Sequence, residues 1–232
     1  RSKGNCPVAD RAPINSSACS PLSAVVVGQD HARVMDAAMS RAKGLPSMIR
    51  TERADGTGAE ARMQAPRSLW DGTYEEDSWI VNDVLHAPIR LVPWLREQID
   101  ASYPGTGLAI TEWNYGGGDH ISGAVATADT LGIFGREGLD AATAWSPPAA
   151  TDAAFGAFKL YRNYDGQGSG FESVSVRATV NTGGRNVQAY AAVGPSRATI
   201  VLVNEDANPA DVTVALGSFS ATGRSTVRSV AR

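Results

Sequence analysis

The residues best suited to chemistry lie in the stretch Leu108-Ala-Ile-Thr-Glu112-Trp-Asn-Tyr-Gly116. A short apolar run leads straight into a carboxylate. If that run is a strand of a parallel α/β fold, Glu112 stands at its carboxyl end, where such folds carry their sites. Trp113, Asn114 and Tyr115 follow at once. Sugar rings present apolar faces and hydroxyl edges, so aromatic rings beside a carboxylate suit a carbohydrate cleft. Cleaving a glycosidic bond takes two carboxyl groups, one as acid/base and the other as nucleophile or as base for water. The competing reading is structural: a strand-end glutamate held by backbone N–H groups or an arginine.

Other candidates are weaker. His120 and Asp119 follow Gly116-Gly-Gly118 on a loop that can approach the same site. Asp119 is read instead as the N-cap of the next helix, a position that aspartate favours. The glycine run is not a phosphate loop, because no Lys-Ser/Thr follows it. No nucleophile-elbow pattern supports a serine triad. Asp165-Gly-Gln-Gly-Ser-Gly170 lacks the alternating carboxylates of a calcium loop. Cys6 and Cys19 can close one disulfide in an exported protein, or remain thiols. Asn15-Ser-Ser17 fits a glycosylation acceptor, a pattern common by chance. No metal and no cofactor is expected.

The elements that must position Glu112 are readable on both sides. Leu22 to Val27 is a strand-like run, and His31 to Lys43 has helical spacing of apolar residues. Arg50 to Arg62 shows no periodicity. Pro66 to Ile80 reads as an aromatic-rich loop. Leu91, Leu95 and Ile99 predict an amphipathic helix over about 89–102, with Pro93 delaying or kinking its start. Trp94 lies within that helix and Trp79 beside Ile80; both are expected to pack. Strand 108–111, helix 121–134, strand 141–145 and helix 152–163 follow, the order of a parallel α/β fold. Tyr164 to Gly170 is a glycine-rich linker. Beyond it, strands are expected at 173–180, 187–193, 198–204, 210–216 and 225–230, the pattern of an antiparallel sandwich.

Composition narrows the class of partner. The 232 residues carry 21 Lys+Arg against 24 Asp+Glu, a formal charge of −3. That lacks the basic bias of most nucleic-acid proteins. No apolar run approaches the 18 residues of a membrane span. The opening residues Arg1 to Cys6 are not a signal peptide.

Several blocks resemble glycoside hydrolase family 44. They are Pro66-Arg-Ser-Leu-Trp-Asp71, Glu76-Asp-Ser-Trp-Ile80, Leu108 to Gly116, Asp119 to Gly123, Leu131 to Gly138, Asp140 to Trp145 and Tyr161 to Gly166. They follow the family's order at similar spacing, with a looser match through the tail. The resemblance implies an α/β fold plus an all-β part: the last βα units of a TIM-like barrel, then a β-sandwich. It implies retaining, endo-acting hydrolysis of β-1,4-glucans such as xyloglucan and cellulose derivatives, by an extracellular protein whose signal lies outside this chain. The family's Thr-Glu-Tyr-Asn block reads Thr111-Glu112-Trp113-Asn114 here, so Glu112 takes the nucleophile's role. Trp70 and Trp145 are expected to stack on sugar, and Tyr115 to hydrogen-bond near the nucleophile.

The family's acid/base glutamate lies in an Asn-Glu-Pro block, and no Asn-Glu-Pro occurs here. Glu52 and Glu60 lie upstream without that block or an apolar strand before them, so the role passes to neither. Residues 1–65 match poorly and are expected to be incomplete or frameshifted. Residues 66–163 are read as the last part of the barrel, 164–170 as linker and 171–232 as a shortened sandwich. This length falls short, by about a third, of a barrel of about 250 residues plus a sandwich of about 100. The chain alone is therefore expected to lack hydrolytic activity. The rival expectation is a non-catalytic polysaccharide-binding or remnant module. Either way the partner is a β-glucan, with no nucleic acid or membrane involved.

Overall fold

The computed structural model describes residues 24–27, 58–181, 183, 186–217, 223 and 225–230. The possible disulfide, the glycosylation pattern and the helix expected over 31–43 lie outside the described residues.

Three strands form a parallel sheet in the order β1 (Ala24–Val27), β2 (Gly107–Trp113), β3 (Ala141–Ala144). The expected strands at 22–27, 108–111 and 141–145 are thus present, with β2 longer than its apolar run. Between β1 and β2 come α1 (Ala59–Gln64), a 3-10 turn (Ala65–Leu69), a π-helical turn (Ile80–Leu85) and α2 (Leu91–Ser102). Helix α1 falls partly in the stretch that showed no periodicity. Six residues are too few for an apolar repeat to show, although Ala59-Glu-Ala-Arg-Met-Gln64 are good helix formers. Helix α2 starts at Leu91, later than 89, with Pro93 in its first turn. Pro93 is the third helical residue, where the N–H needs no intrahelical acceptor.

Helix α3 (Ile121–Arg136) returns from β2 to β3, and α4 (Ala153–Arg162) follows β3. Trp113 of β2 meets Phe134 of α3 edge-on at 5.4 Å and Phe158 of α4 at 5.8 Å. These rings join Leu108 and Ile110 in one apolar core with Val92, Leu95 and Ile99 of α2. Trp79 is buried, as expected. Trp94 is not: it lies on the outer face of α2, off the Val92–Leu95–Ile99 stripe, and is 45% exposed.

Residues 163–170 form a hydrogen-bonded turn. Asn163 Oδ1 accepts from the N–H of Gly168, and Asp165 Oδ1 from those of Gln167 and Ser169. A second, antiparallel sheet follows in the order β4 (Val174–Val176), β5 (Val187–Val193), β6 (Ala198–Asn204). On β6, Val201 and Val203 are buried while Ile200 and Leu202 are exposed, the alternation of a half-buried strand. The buried face, with Tyr190 of β5, packs on α3 and joins the same core. Two expected strands are not formed. Residues 210–216 and 225–230 are irregular, and 173–180 contributes only Val174–Val176. Val212, Val214 and Leu216 alternate as a strand would, but no described strand pairs with them, and a ladder needs a partner. No helix among the described residues is long and apolar enough to cross a membrane.

Candidate active site

Glu112 is the next-to-last residue of β2, the central strand, and its side chain is exposed. Its orientation follows from an irregularity in the ladder. Ile110 pairs with Ala142, but Trp113 pairs with Ala144, so three steps on β2 oppose two on β3. Without that bulge, Ile110 and Trp113 would face opposite sides of the sheet. With it, Leu108, Ile110 and Trp113 all enter the core, and Glu112 is left out of it. The Thr143 hydroxyl of β3 donates to the carbonyl of Thr111 inside the bulge.

Trp145 follows β3 directly, and its N–H donates to the carbonyl of Trp113 at 3.0 Å. Its indole is 60% exposed. The carboxyl ends of two adjacent parallel strands thus bring together a carboxylate and a free aromatic face, the pairing that suits a sugar ring.

The loop after Glu112 is built tightly. Asn114 Oδ1 accepts from the N–H of Gly116 at 2.7 Å. Gly117 has φ +58, and a Cβ there would lie 2.4 Å from the Arg62 guanidinium carbon. Arg62 of α1 is fully buried beneath this loop and donates to Ser122 Oγ at 2.5 Å. A buried cation thus sets the path of the chain leaving Glu112. The sequence offered no sign of this arginine's place, because its burial comes from packing against residues sixty positions away. His120, not Asp119, caps α3. Its Nδ1 accepts from the N–H of Ser122 at 3.2 Å and lies 2.8 Å from Ser122 Oγ, while Asp119 is exposed.

Two expected site residues point elsewhere. Trp70 stacks under the Arg136 guanidinium at 4.1 Å, in the last turn of α3. Sixteen residues of helix span about 24 Å, and Glu112 adjoins the loop that enters the other end. Trp70 therefore does not share the end of the sheet that presents Glu112 and Trp145. The block around it reads as cleft-lining because it is aromatic and polar, which cation–π packing also requires. Tyr115 turns inward, packs against the core and hydrogen-bonds Thr130 of α3. Burial, then the nearby Glu76 and Asp129 carboxyls, push its phenol well above the ordinary range.

No protein-family profile matches the chain. Its similarity to known proteins is nonetheless extensive. Endoglucanase A of Paenibacillus lautus is 52% identical over 134 residues, which cover 58% of this chain and 19% of that protein. The crystal structure of a Paenibacillus polymyxa xyloglucanase from glycoside hydrolase family 44 superposes with a TM-score of 0.59 at 40% identity, covering 67% of this chain and 30% of that one. The chain resembles glycoside hydrolase family 44. A second family 44 structure, an endoglucanase produced by Clostridium acetobutylium ATCC 824, gives a TM-score of 0.58 at 39% identity, covering 68% of this chain and 31% of that one. The chain thus spans about a fifth of the curated relative and about three tenths of each solved family 44 chain.

Proposed function

We propose that this chain is the nucleophile-bearing part of a retaining, endo-acting glycoside hydrolase of β-1,4-glucans, exported from the cell. The observation that carries the reading is the bulge in β2. It presents Glu112 out of the core at the carboxyl end of a parallel strand, beside the exposed Trp145. Bulges of this kind recur next to active sites, where they re-aim a side chain. The relatives' names, endoglucanase and xyloglucanase, support a glucan as substrate. The three parallel strands are read as an arc of a TIM-like barrel, and the antiparallel sheet as one layer of a sandwich. Residues 66–163 then belong to the barrel, 164–170 to the turn between the two, and 171–232 to the sandwich side.

In this reaction Glu112, ionised, attacks the anomeric carbon from the face opposite the leaving oxygen. A glycosyl ester forms, and water then hydrolyses it. The leaving oxygen needs a proton from a second carboxyl group, worth about 10²–10⁴-fold in rate. With no Asn-Glu-Pro block in the chain, that donor has no assigned residue. Without that donor the isolated chain is expected not to cleave glucan, while the exposed Trp145 beside Glu112 supports its binding.

Affinity electrophoresis in xyloglucan and a reducing-sugar assay test both halves of this reading. Retarded migration that Trp145→Ala abolishes, without turnover, is expected. Turnover by the isolated chain that Glu112→Gln removes would overturn the claim of inactivity. Migration unchanged by xyloglucan would overturn the claim of binding.

A further inference from the structure

Far from Glu112, the middle of α3 carries a buried acid. Asp129 is 1% exposed, and Glu205, just after β6, is 3% exposed. The two carboxyl groups lie within hydrogen-bonding reach of each other. Around them the partners are otherwise donors. The Tyr190 hydroxyl of β5 donates to Asp129 Oδ1 at 2.5 Å. Gln64 of α1 donates through Nε2 to Glu205 Oε2 at 3.2 Å, and Gln188 of β5 also bonds Glu205. Glu205 Oε1, however, is buried with no donor. Two ionised carboxylates have only acceptors to offer each other. A single proton between them turns one into a donor and removes the repulsion.

We propose that Asp129 and Glu205 share one proton and so fasten the antiparallel sheet to α3 in a pH-dependent way. The fastening is structural on both sides. The Tyr190 ring lies flat against the helix at Gly132, where even a Cβ would come within 2.2 Å of it. Its hydroxyl reaches Asp129 from there. Among the described residues, the charged and titratable groups facing the pair are few. Arg136 acts from α3, Tyr161 from α4, Tyr190 from β5, and Tyr74 and Tyr115 from flanking loops. Arg67 reaches the pair through Gln64, to whose Oε1 it donates, while itself bonded to Asp71. Arg62 of α1 is directed at Ser122, two turns earlier on α3.

The direction of the pH effect follows from burial, reinforced by mutual charge. Burial, then the Asp129 charge, pushes Glu205 up to about 8, and burial raises Asp129 as well. The folded state thus holds a proton that the unfolded chain releases near the ordinary carboxylate value. The stability this provides is complete at acid pH and is lost as pH rises towards 8. By linkage, the folding equilibrium constant falls about a hundredfold between pH 5.5 and 8.5.

Urea unfolding of the whole chain across that range tests this, with Glu205→Gln and Asp129→Asn beside it. Each amide can donate to the remaining carboxylate, so each variant is expected to keep the sheet docked and to flatten the pH slope. Carboxyl ¹³C NMR supplies the direct readout: one resonance titrating above pH 7, lost in Glu205→Gln. A slope unchanged in both variants would overturn the proposal, as would carboxyl resonances that all titrate below pH 5.5. The NMR arm stands even if neither variant folds.

Discussion

Gly132→Ala tests the docking of the second sheet through a sign that helix propensity alone gets wrong. Gly132 lies inside α3. Replacing a mid-helix glycine by alanine ordinarily stabilises by about 1 kcal/mol. Here the new methyl would lie 2.2 Å from Tyr190 Cδ2 and 2.3 Å from Cγ. Those atoms sit close to the β5 backbone, so the ring cannot swing away as the tip of a long side chain would. Its hydroxyl is also held by Asp129. Moving the sheet by an ångström or more is an overpacking change, which costs about 1–3 kcal/mol. The contact is well inside the van der Waals wall, so the upper part of that range applies, and the net effect is a loss of about 1–2 kcal/mol. Urea unfolding followed by far-UV circular dichroism measures it. In a Tyr190→Leu background the clash is relieved, and the same substitution should become neutral or stabilising. A Gly132→Ala chain that is more stable than the parent, with no dependence on residue 190, would refute this packing.

Four further outcomes follow from the same geometry. Trp113→Ala removes the ring between Phe134 and Phe158 and should cost about 3–5 kcal/mol in urea unfolding, with loss of near-UV ellipticity. Glu112→Gln, at an exposed position, should shift stability by no more than about 0.5 kcal/mol in the same assay. Trp70→Ala should leave xyloglucan retardation unchanged, because its ring stacks on Arg136 away from Glu112, while Trp145→Ala abolishes it. Arg62→Met should loosen the loop over 116–118, seen as faster amide hydrogen exchange there than in β5.

The sequence made the order of the parallel strands and their helices readable, because Leu108 to Thr111 and Leu91-Leu95-Ile99 carry clear periods of their own. Glu112 was legible for the same reason: an apolar run ends in it. The bulge that orients it was not, since a pairing shift depends on the neighbouring strand. Trp70 and Tyr115 misled because an aromatic residue near a motif looks alike whether it faces solvent, an arginine or the core. Arg62, Asp129 and Glu205 escaped notice because burial of a charge comes from residues far along the chain. The alternation over 210–216 promised a strand that lacks a partner among the described residues, so pattern alone overstated the second sheet.

The claim that Glu112 is the nucleophile is tested most directly in a complete enzyme. The segment matching residues 58–170 would be exchanged into the Clostridium family 44 endoglucanase, and the hybrid assayed on xyloglucan and carboxymethylcellulose. Turnover by the hybrid is expected, falling by at least about 10³-fold in Glu112→Gln, since the covalent step is then lost. A hybrid that cleaves equally well with Gln at position 112 would contradict the claim.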